Sequence, residues 1–146
     1  MRFPILLSLL VSVSLAPSSA VADQDDPLGA EASELAERIS REFSRVLHTE
    51  LARPIPVRLL PDEQFYSEMA LPEHSVAIYS DGEIVVGVPD RGRLSRATLE
   101  RTLRHELVHP YLDTLTGGRT PAWIDEGFAK SLEGRPEDTR EIKLHE

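Results

Sequence analysis

Hydrophobic positions in the first third of the chain recur at steps of three and four residues. The positions of this stripe are Leu28, Ala32, Leu35, Ile39, Phe43 and Val46. Since that period places apolar side chains on one face of a helix, the pattern predicts an amphipathic helix that packs on a sheet. Asp26 and Pro27 suit its N-cap and first turn, and Pro54 and Pro56 prevent it from continuing.

Shorter apolar runs follow this helix and are typical of strands. Ile55, Val57 and Leu59 alternate with other residues, and Pro56 places this strand at or near a sheet edge, because proline cannot donate a sheet hydrogen bond. Asp62 then suits the cap of a short helical turn.

Two further runs, residues 76–79 and 84–88, flank the dipeptide Asp81-Gly82. This dipeptide between apolar runs favours a type I′ hairpin turn, so the pattern predicts a small sheet. Two interpretations of the hairpin edge stay open. The edge either pairs with an extended peptide substrate or is ordinary sheet structure.

A second helix is predicted from Ser95, a good N-cap, to Gly117-Gly118, a typical helix end. Its apolar positions share one face and are Leu99, Leu103 and Leu107. Three other large residues are expected to point away from that face, namely Glu100, Arg104 and Tyr111. Pro110 is expected to kink or loosen the helix, because proline removes the hydrogen bond to the carbonyl of residue 106.

The same helix carries the H-E-x-x-H pattern His105-Glu106-Leu107-Val108-His109. Residues four apart lie one helical turn apart on the same face, so the two imidazoles can hold one metal ion. Glu106 is rotated by about 100° from His105 and can act beside the metal as a base without being a ligand. Zinc sites that perform chemistry have three protein ligands and a water, so a third ligand must come from elsewhere.

A third helix is predicted to begin with Thr120 as the N-cap and Pro121 in the first turn. A helix, a short glycine turn and another helix form an αα-hairpin. The small residues Gly127 and Ala129 are expected to let the two helices pack closely. Glu126 would then point back at the two histidines.

Composition and charge limit the partners and the kind of metal site. The 146 residues are 40% hydrophobic and 5% aromatic, which suits one small domain. A net charge of −9 argues against a nucleic-acid partner, for which a basic face is typical. Because the chain contains no cysteine, zinc ligands must be His, Asp or Glu. The oligomeric state is left open.

The N-terminus has the pattern of a targeting segment. Arg2 is followed by an apolar run over residues 5–16 and by small residues that end in Ala20-Val21-Ala22. This order is typical of a cleaved signal peptide over residues 1–22, with cleavage after Ala22. A membrane anchor is the alternative, but the run is short for a transmembrane helix. The mature domain, residues 23–146, is therefore predicted to be secreted or periplasmic, without stable membrane insertion.

Together these motifs resemble a family of zinc enzymes. His105-Glu106-x-x-His109 is followed 17 residues later by Glu126, within Trp123-x-x-Glu126-Gly127-x-Ala129. This combination resembles the gluzincin branch of the zinc metallopeptidases, and more narrowly the bacterial peptidase MA-like domain proteins. Leu115-Thr116-Gly117-Gly118-Arg119 and Leu132-Glu133-Gly134 are also similar to those sequences, and the similarity covers roughly residues 95–134.

The resemblance implies an α+β, zincin-like domain with its core over residues 54–134. Such a domain has a small mixed sheet, an N-terminal scaffold helix, the H-E-x-x-H helix and a following helix with the third ligand. The resemblance further implies that His105, His109 and Glu126 bind Zn²⁺ and that Glu106 is the general base. The implied activity is hydrolysis of peptide bonds in a peptide or protein substrate.

Two functions stay open. A zinc peptidase needs the acid Glu106, which a structural site does not. A weakly active or inactive zinc-binding module, structural or peptide-binding, is the alternative, and metal would then fold the domain. The alternative is favoured by Pro110 and by the sequence after Glu126, where His145 is the sole Tyr or His that could act as the oxyanion donor usual in related enzymes.

Four other residues near these motifs have less specific interpretations. Asp113 and Asp125 either orient the imidazoles by accepting their second N–H or are ordinary exposed acids. His48, near the end of the first helix, is interpreted as a surface or C-terminal capping residue, and His74 as a loop residue, since it has no partner at ligand spacing.

Overall fold

The computed structural model describes residues 27–72, 75–89 and 94–134. These residues form α1 (Pro27–Leu47), β1 (Val57–Pro61), α2 (Asp62–Met69), β2 (Ala77–Ser80), β3 (Glu83–Val88), α3 (Arg96–Thr116) and α4 (Ala122–Leu132). The described part of the chain is therefore a small α+β fold, as the sequence predicts. The predicted signal peptide, the Asp26 cap, His74 and His145 lie outside it. Within the described ranges, no helix has the length and apolar character needed to cross a membrane.

The sheet is mixed, as predicted, and its strand order is β1-β3-β2. β1 pairs with β3 in parallel, with Val57 opposite Ile84. β2 pairs with β3 antiparallel, with Tyr79 opposite Ile84. The turn between β2 and β3 has positive φ angles at Asp81 (53°) and Gly82 (80°), as a type I′ turn requires. β1 is an edge strand, which confirms the position expected from Pro56 directly before it.

The sheet separates two hydrophobic clusters. On one face, Ile84 and Val86 of β3 pack against α1 and α3. On the other face, Val85 packs against Phe65 of α2. Neighbouring residues of a strand point to opposite faces, so this one strand serves both clusters. A Cβ atom at Gly87 would lie 2.9 Å from the Phe65 ring, so the close approach of α2 requires glycine there.

The first residue of α2 is Asp62 itself, so the prediction that Asp62 caps this helix is wrong. Pro61 occupies the N-cap position and makes no side-chain hydrogen bond there. The helix is instead held by burial of Phe65, which is 0% exposed.

Of the six positions of the stripe predicted on α1, four are buried, Leu28 is partly buried and one is exposed. Ala32, Leu35, Ile39 and Phe43 are between 0% and 1% exposed. Val46 is 48% exposed, so its assignment to the buried face is wrong. The reason is helical phase: Leu47, four residues after Phe43, packs against the core in its place.

α3 buries a wider face than predicted. The predicted apolar face is confirmed and consists of Leu99, Leu103 and Leu107. Tyr111, four residues after Leu107, continues this face, and Arg104 lies beside it. They are only 0% and 1% exposed because α1 packs there, so the prediction that they point away is wrong. The Tyr111 hydroxyl lies 2.8 Å from the hydroxyls of both Ser40 and Ser44. A polar contact between the two helices therefore accompanies the apolar one.

Both predicted ends of α3 are confirmed. The Ser95 hydroxyl accepts a hydrogen bond of 3.1 Å from the Thr98 N–H. At the other end Gly117, with a φ of 64°, donates its N–H to the carbonyl of Asp113. The helix runs through Pro110 without interruption, so the expected loosening does not end it.

α4 differs from the prediction at its start and on its packing face. Pro121 precedes the first helical residue, and the Thr120 hydroxyl contacts the hydroxyl of Thr116 at 2.8 Å instead of capping α4. Ala129 is buried against the core, as predicted. Gly127 is exposed, and a Cβ atom there would meet nothing within 4 Å, so its small size does not contribute to the packing.

Candidate metal centre

α3 and α4 place His105, His109 and Glu126 side by side. One ligand atom from each residue lies within 4.8 Å of the other two. Nε2 of His105 is 3.4 Å from one Glu126 oxygen, and Nε2 of His109 is 4.0 Å from the other. Ligands that are each about 2 Å from a shared ion have separations of this size. The three residues can therefore hold a metal ion.

The chemistry of these donors suits a divalent ion with one position left open. Two imidazole nitrogens and one carboxylate are the donors that the three residues offer. Catalytic zinc sites have such a set and keep the fourth position for water or substrate. Imidazole and carboxylate also bind other divalent metals, so the donor set alone does not select zinc.

A further carboxylate holds each imidazole. Nδ1 of His105 donates to Glu133 over 3.0 Å, and Nδ1 of His109 donates to Asp125 over 3.1 Å. With the hydrogen on Nδ1, the lone pair of Nε2 faces Glu126 in both rings. The two carboxylates therefore fix the tautomer and the ring orientation that metal binding needs.

These contacts decide between the interpretations of the two acids. Asp125 orients an imidazole, whereas Asp113 contacts none of the described imidazoles and is exposed. Sequence reasoning missed Glu133 as the partner of His105. Its position seven residues after Glu126 could have revealed it, since residues seven apart share one face of a helix.

Glu106 is buried beside this group and is fixed to the sheet. Its side chain is 8% exposed, and its Oε2 accepts a hydrogen bond of 2.8 Å from the backbone N–H of Tyr79. N–H groups along an antiparallel edge strand alternate between the neighbouring strand and the open edge, and that of Tyr79 points to the open edge. A backbone donor has no side-chain signature, so the sequence did not indicate this contact.

The surroundings of Glu106 affect its protonation. Burial raises the pKa of Glu106 above its ordinary value. The neighbouring His105 and His109 and the N–H of Tyr79 lower the pKa of Glu106 in part, and the Glu126 carboxylate raises it further. A carboxylate with a raised pKa is suited to exchange protons closer to neutral pH.

All of these groups border one open cleft of about 880 Å³. One wall is the chain from Ser75 to Asp81, which includes β2, and the other walls are faces of α3 and α4. The candidate ligands and Glu106 are thus accessible to a ligand that lies along the edge of the sheet.

Comparison with protein family models, with curated proteins and with solved structures finds no match to this chain. The resemblance to gluzincins therefore remains a prediction that rests on the motifs. The geometry of the candidate metal site does not depend on that resemblance.

Proposed function

We propose that this chain is a zinc-dependent peptidase in which His105, His109 and Glu126 hold the metal and Glu106 is the general base. The observation that supports this most is the buried Glu106 carboxylate beside a group of three ligands. Structural zinc sites almost always have four protein ligands and need no acid that is not a ligand. A catalytic site needs both the open position and the base.

In the proposed reaction, side chains and one backbone N–H of the protein transfer a proton from the attacking water to the leaving amine and keep the reacting groups in position. Zinc at this site would lower the pKa of a water molecule and polarise the scissile carbonyl. Glu106 takes the proton of the attacking water and delivers it to the leaving amine. The Tyr79 N–H holds one oxygen of Glu106, which leaves the other oxygen free for the proton. Glu133 and Asp125 keep the imidazoles in place.

The edge of β2 supports an extended peptide as the substrate. Ala77, two residues before Tyr79, directs its N–H and C=O to the same open side, and that side borders the cleft. An extended peptide can therefore add to the sheet beside the metal group. The proposed location, secreted or periplasmic, rests on the signal pattern of residues 1–22.

A zinc-binding module without efficient turnover is the second candidate. α4 buries Ala129 alone among its own residues, so a metal ion shared by α3 and α4 would tie α4 to the domain. The main core, in contrast, is built from α1, α3 and β3 with Ala129 as the one buried residue of α4, and it contains none of the three ligands. Metal is therefore expected to dock α4 rather than to fold the whole domain.

The deciding experiment combines metal analysis with digestion of a broad peptide library, using the chain purified after export. The parent should contain one zinc ion and hydrolyse peptides, and a chelator should abolish the hydrolysis. Glu106→Gln should keep the zinc and lose the hydrolysis. Glu50→Gln, a matched change of an exposed acid outside the cleft, should keep both.

Two outcomes would contradict parts of the proposal. Hydrolysis by Glu106→Gln at the parent's rate would show that Glu106 is not the general base. Zinc bound by a parent that hydrolyses no peptide would favour the binding module over the enzyme.

A further inference from the structure

One face of α3 carries opposite charges at the two ends of the cleft. Arg101, His105, His109 and Asp113 follow one another at intervals of four residues, so their side chains lie along one face. All four line the cleft. Arg101 lies about 6 Å along the helix before His105, and Asp113 lies as far beyond His109. The candidate metal group is therefore between a positive end and a negative end.

On α4 a cation and an acid share the His105 end of the cleft, and a second acid lies at the His109 end. Glu133 contacts the ring of His105 at 3.0 Å, and Lys130 is 3.5 Å from Glu133. Asp125 contacts the ring of His109. Lys130 thus lies at the His105 end, which is also the end of Arg101. Both cations that line the described cleft are therefore at one end of it.

Among the described residues, Arg101 is the cation at this end that has no carboxylate partner. Lys130 is engaged with Glu133, whereas Arg101 is exposed and forms no ion pair with any described residue. Two other arginines of α3, Arg96 and Arg104, each contact a glutamate at 2.6 Å. An exposed guanidinium that borders a cleft presents a planar pair of donors that matches a carboxylate.

We infer that Arg101 binds a carboxylate of the substrate close to the scissile bond. This inference rests on the proposed function, because the metal group defines where the bond is cleaved. Arg101 and His105 are about 6 Å apart along the helix axis, and one residue of an extended peptide spans about 3.5 Å. The carboxylate is therefore expected one or two residues from the scissile bond. Its source is either the C-terminal carboxylate of the peptide or an Asp or Glu side chain.

The inference can be tested by binding, without turnover, on the zinc-loaded Glu106→Gln chain. The probes are fluorescein-labelled alanine-rich heptapeptides with a central Gln and an amidated C-terminus, and two relatives of that peptide. One relative replaces Gln by Glu, and the other has a free C-terminus. Fluorescence anisotropy should show that at least one relative binds about tenfold more tightly than the neutral peptide, the effect of one charge-assisted hydrogen bond. The relative that gains affinity identifies the source of the carboxylate.

Variants of Arg101 separate this contact from general charge effects. Arg101→Gln should abolish the preference, Arg101→Glu should reverse it so that the neutral peptide binds more tightly than either relative, and Arg101→Lys should retain part of it. Arg45→Gln is the matched control, because Arg45 is exposed, lies outside the cleft and forms no ion pair with a described residue. It should keep the full preference, and every variant should keep its zinc.

Equal binding of all probes, no binding of any probe, or an unchanged preference in Arg101→Gln would overturn the inference. Hydrolysis by the parent chain tests the proposed function separately. A carboxylate preference without any hydrolysis would support Arg101 and contradict the peptidase. Hydrolysis without a carboxylate preference would support the peptidase and contradict the role of Arg101.

Discussion

Glu106 of α3 and Tyr79 of β2 are joined by a hydrogen bond of 2.8 Å between a carboxylate oxygen and a backbone N–H. The contact holds a buried acid against the edge of the sheet, beside the candidate metal ligands. Because this N–H points away from β3, it can be removed without loss of a sheet hydrogen bond. Proline at position 79 therefore removes the donor to Glu106 while the sheet hydrogen bonds stay intact, and it also removes the Tyr79 ring, which packs against the main core.

Tyr79→Pro is expected to lower the kcat of peptide hydrolysis by about 10- to 100-fold, since a hydrogen bond to a charged group contributes about 1.5–3 kcal/mol. The zinc content and the KM should change little, because neither the ligands nor the rest of the strand edge is altered. Steady-state kinetics on zinc-loaded chains would measure both parameters.

Two variants control for this change. Tyr79→Ala removes the ring but keeps the N–H to Glu106, and it should keep the kcat of the parent. Ala77→Pro removes the next outward N–H, which does not contact Glu106, and should affect the KM rather than the kcat. An equal loss of kcat in Ala77→Pro would attribute the effect to the strand and not to the hydrogen bond.

Glu106 is also expected to lower the stability of the metal-free chain at neutral pH. Burial raises its pKa in the folded chain above the ordinary value of 4.5. At a pH between the ordinary pKa and the raised pKa of the folded chain, Glu106 keeps a proton in the folded chain that it has released in the unfolded chain. The free energy of unfolding therefore falls as the pH rises through this interval.

Glu106→Gln removes this dependence, because the amide does not ionise and its oxygen can still accept the Tyr79 N–H. Urea unfolding of the chelated chains should show that the variant is more stable than the parent at neutral pH. The difference should disappear below the ordinary pKa of 4.5, where both forms are uncharged. Equal stability of the two chains at every pH would mean that the burial of Glu106 costs nothing.

Asp125→Ala and Glu133→Ala are each expected to lower the zinc affinity by about 10- to 100-fold, the usual effect of removing a carboxylate that orients a ligating histidine. Each variant frees one imidazole to rotate and to change its tautomer. Competition with a chromophoric chelator would measure the affinity. Asp113→Ala is the matched control, because Asp113 lines the same cleft without contacting an imidazole, and its affinity should equal that of the parent.

Local chemistry explains why parts of the fold and site were predictable. Ser95 and Gly117 end α3 through contacts within one helical turn, so short stretches of sequence contain the whole signal. The same is true of His105 and His109, whose relative position is a property of the helix itself. The position of Glu126 beside the two histidines was predictable because only a short loop joins α3 to α4.

The burial of Arg104 depends instead on residues far along the chain. Tyr111 lies four residues after Leu107 and so continues the apolar row of α3, whereas Arg104 is charged, and the helix alone offers no reason to bury it. Its partner Glu42 lies on α1 and is 62 residues away from Arg104 in the sequence. The contact between the Tyr79 N–H and Glu106 was not predictable for the same reason, since the two residues are 27 positions apart in the sequence.

Two of the ion pairs between α1 and α3 have the same length but different burial. The side chains of Glu42 and Arg104 approach to 2.6 Å and are 14% and 2% exposed. Those of Glu31 and Arg96 also approach to 2.6 Å but are 36% and 65% exposed. Removing one partner of the buried pair should therefore cost more stability, because water cannot replace the missing partner.

Glu42→Ala is expected to lower the free energy of unfolding by about 3 kcal/mol, since it leaves a buried guanidinium without its main partner. Glu100, at 3.4 Å, compensates in part, but Nε of Arg104 already has no hydrogen-bond partner among the described residues. Glu31→Ala should cost less than about 1 kcal/mol, as is usual for exposed pairs. Both variants make the same change within α1, so their helix propensities are matched, and urea unfolding would compare them directly. A loss in Glu31→Ala as large as in Glu42→Ala would show that burial does not set the strength of these pairs.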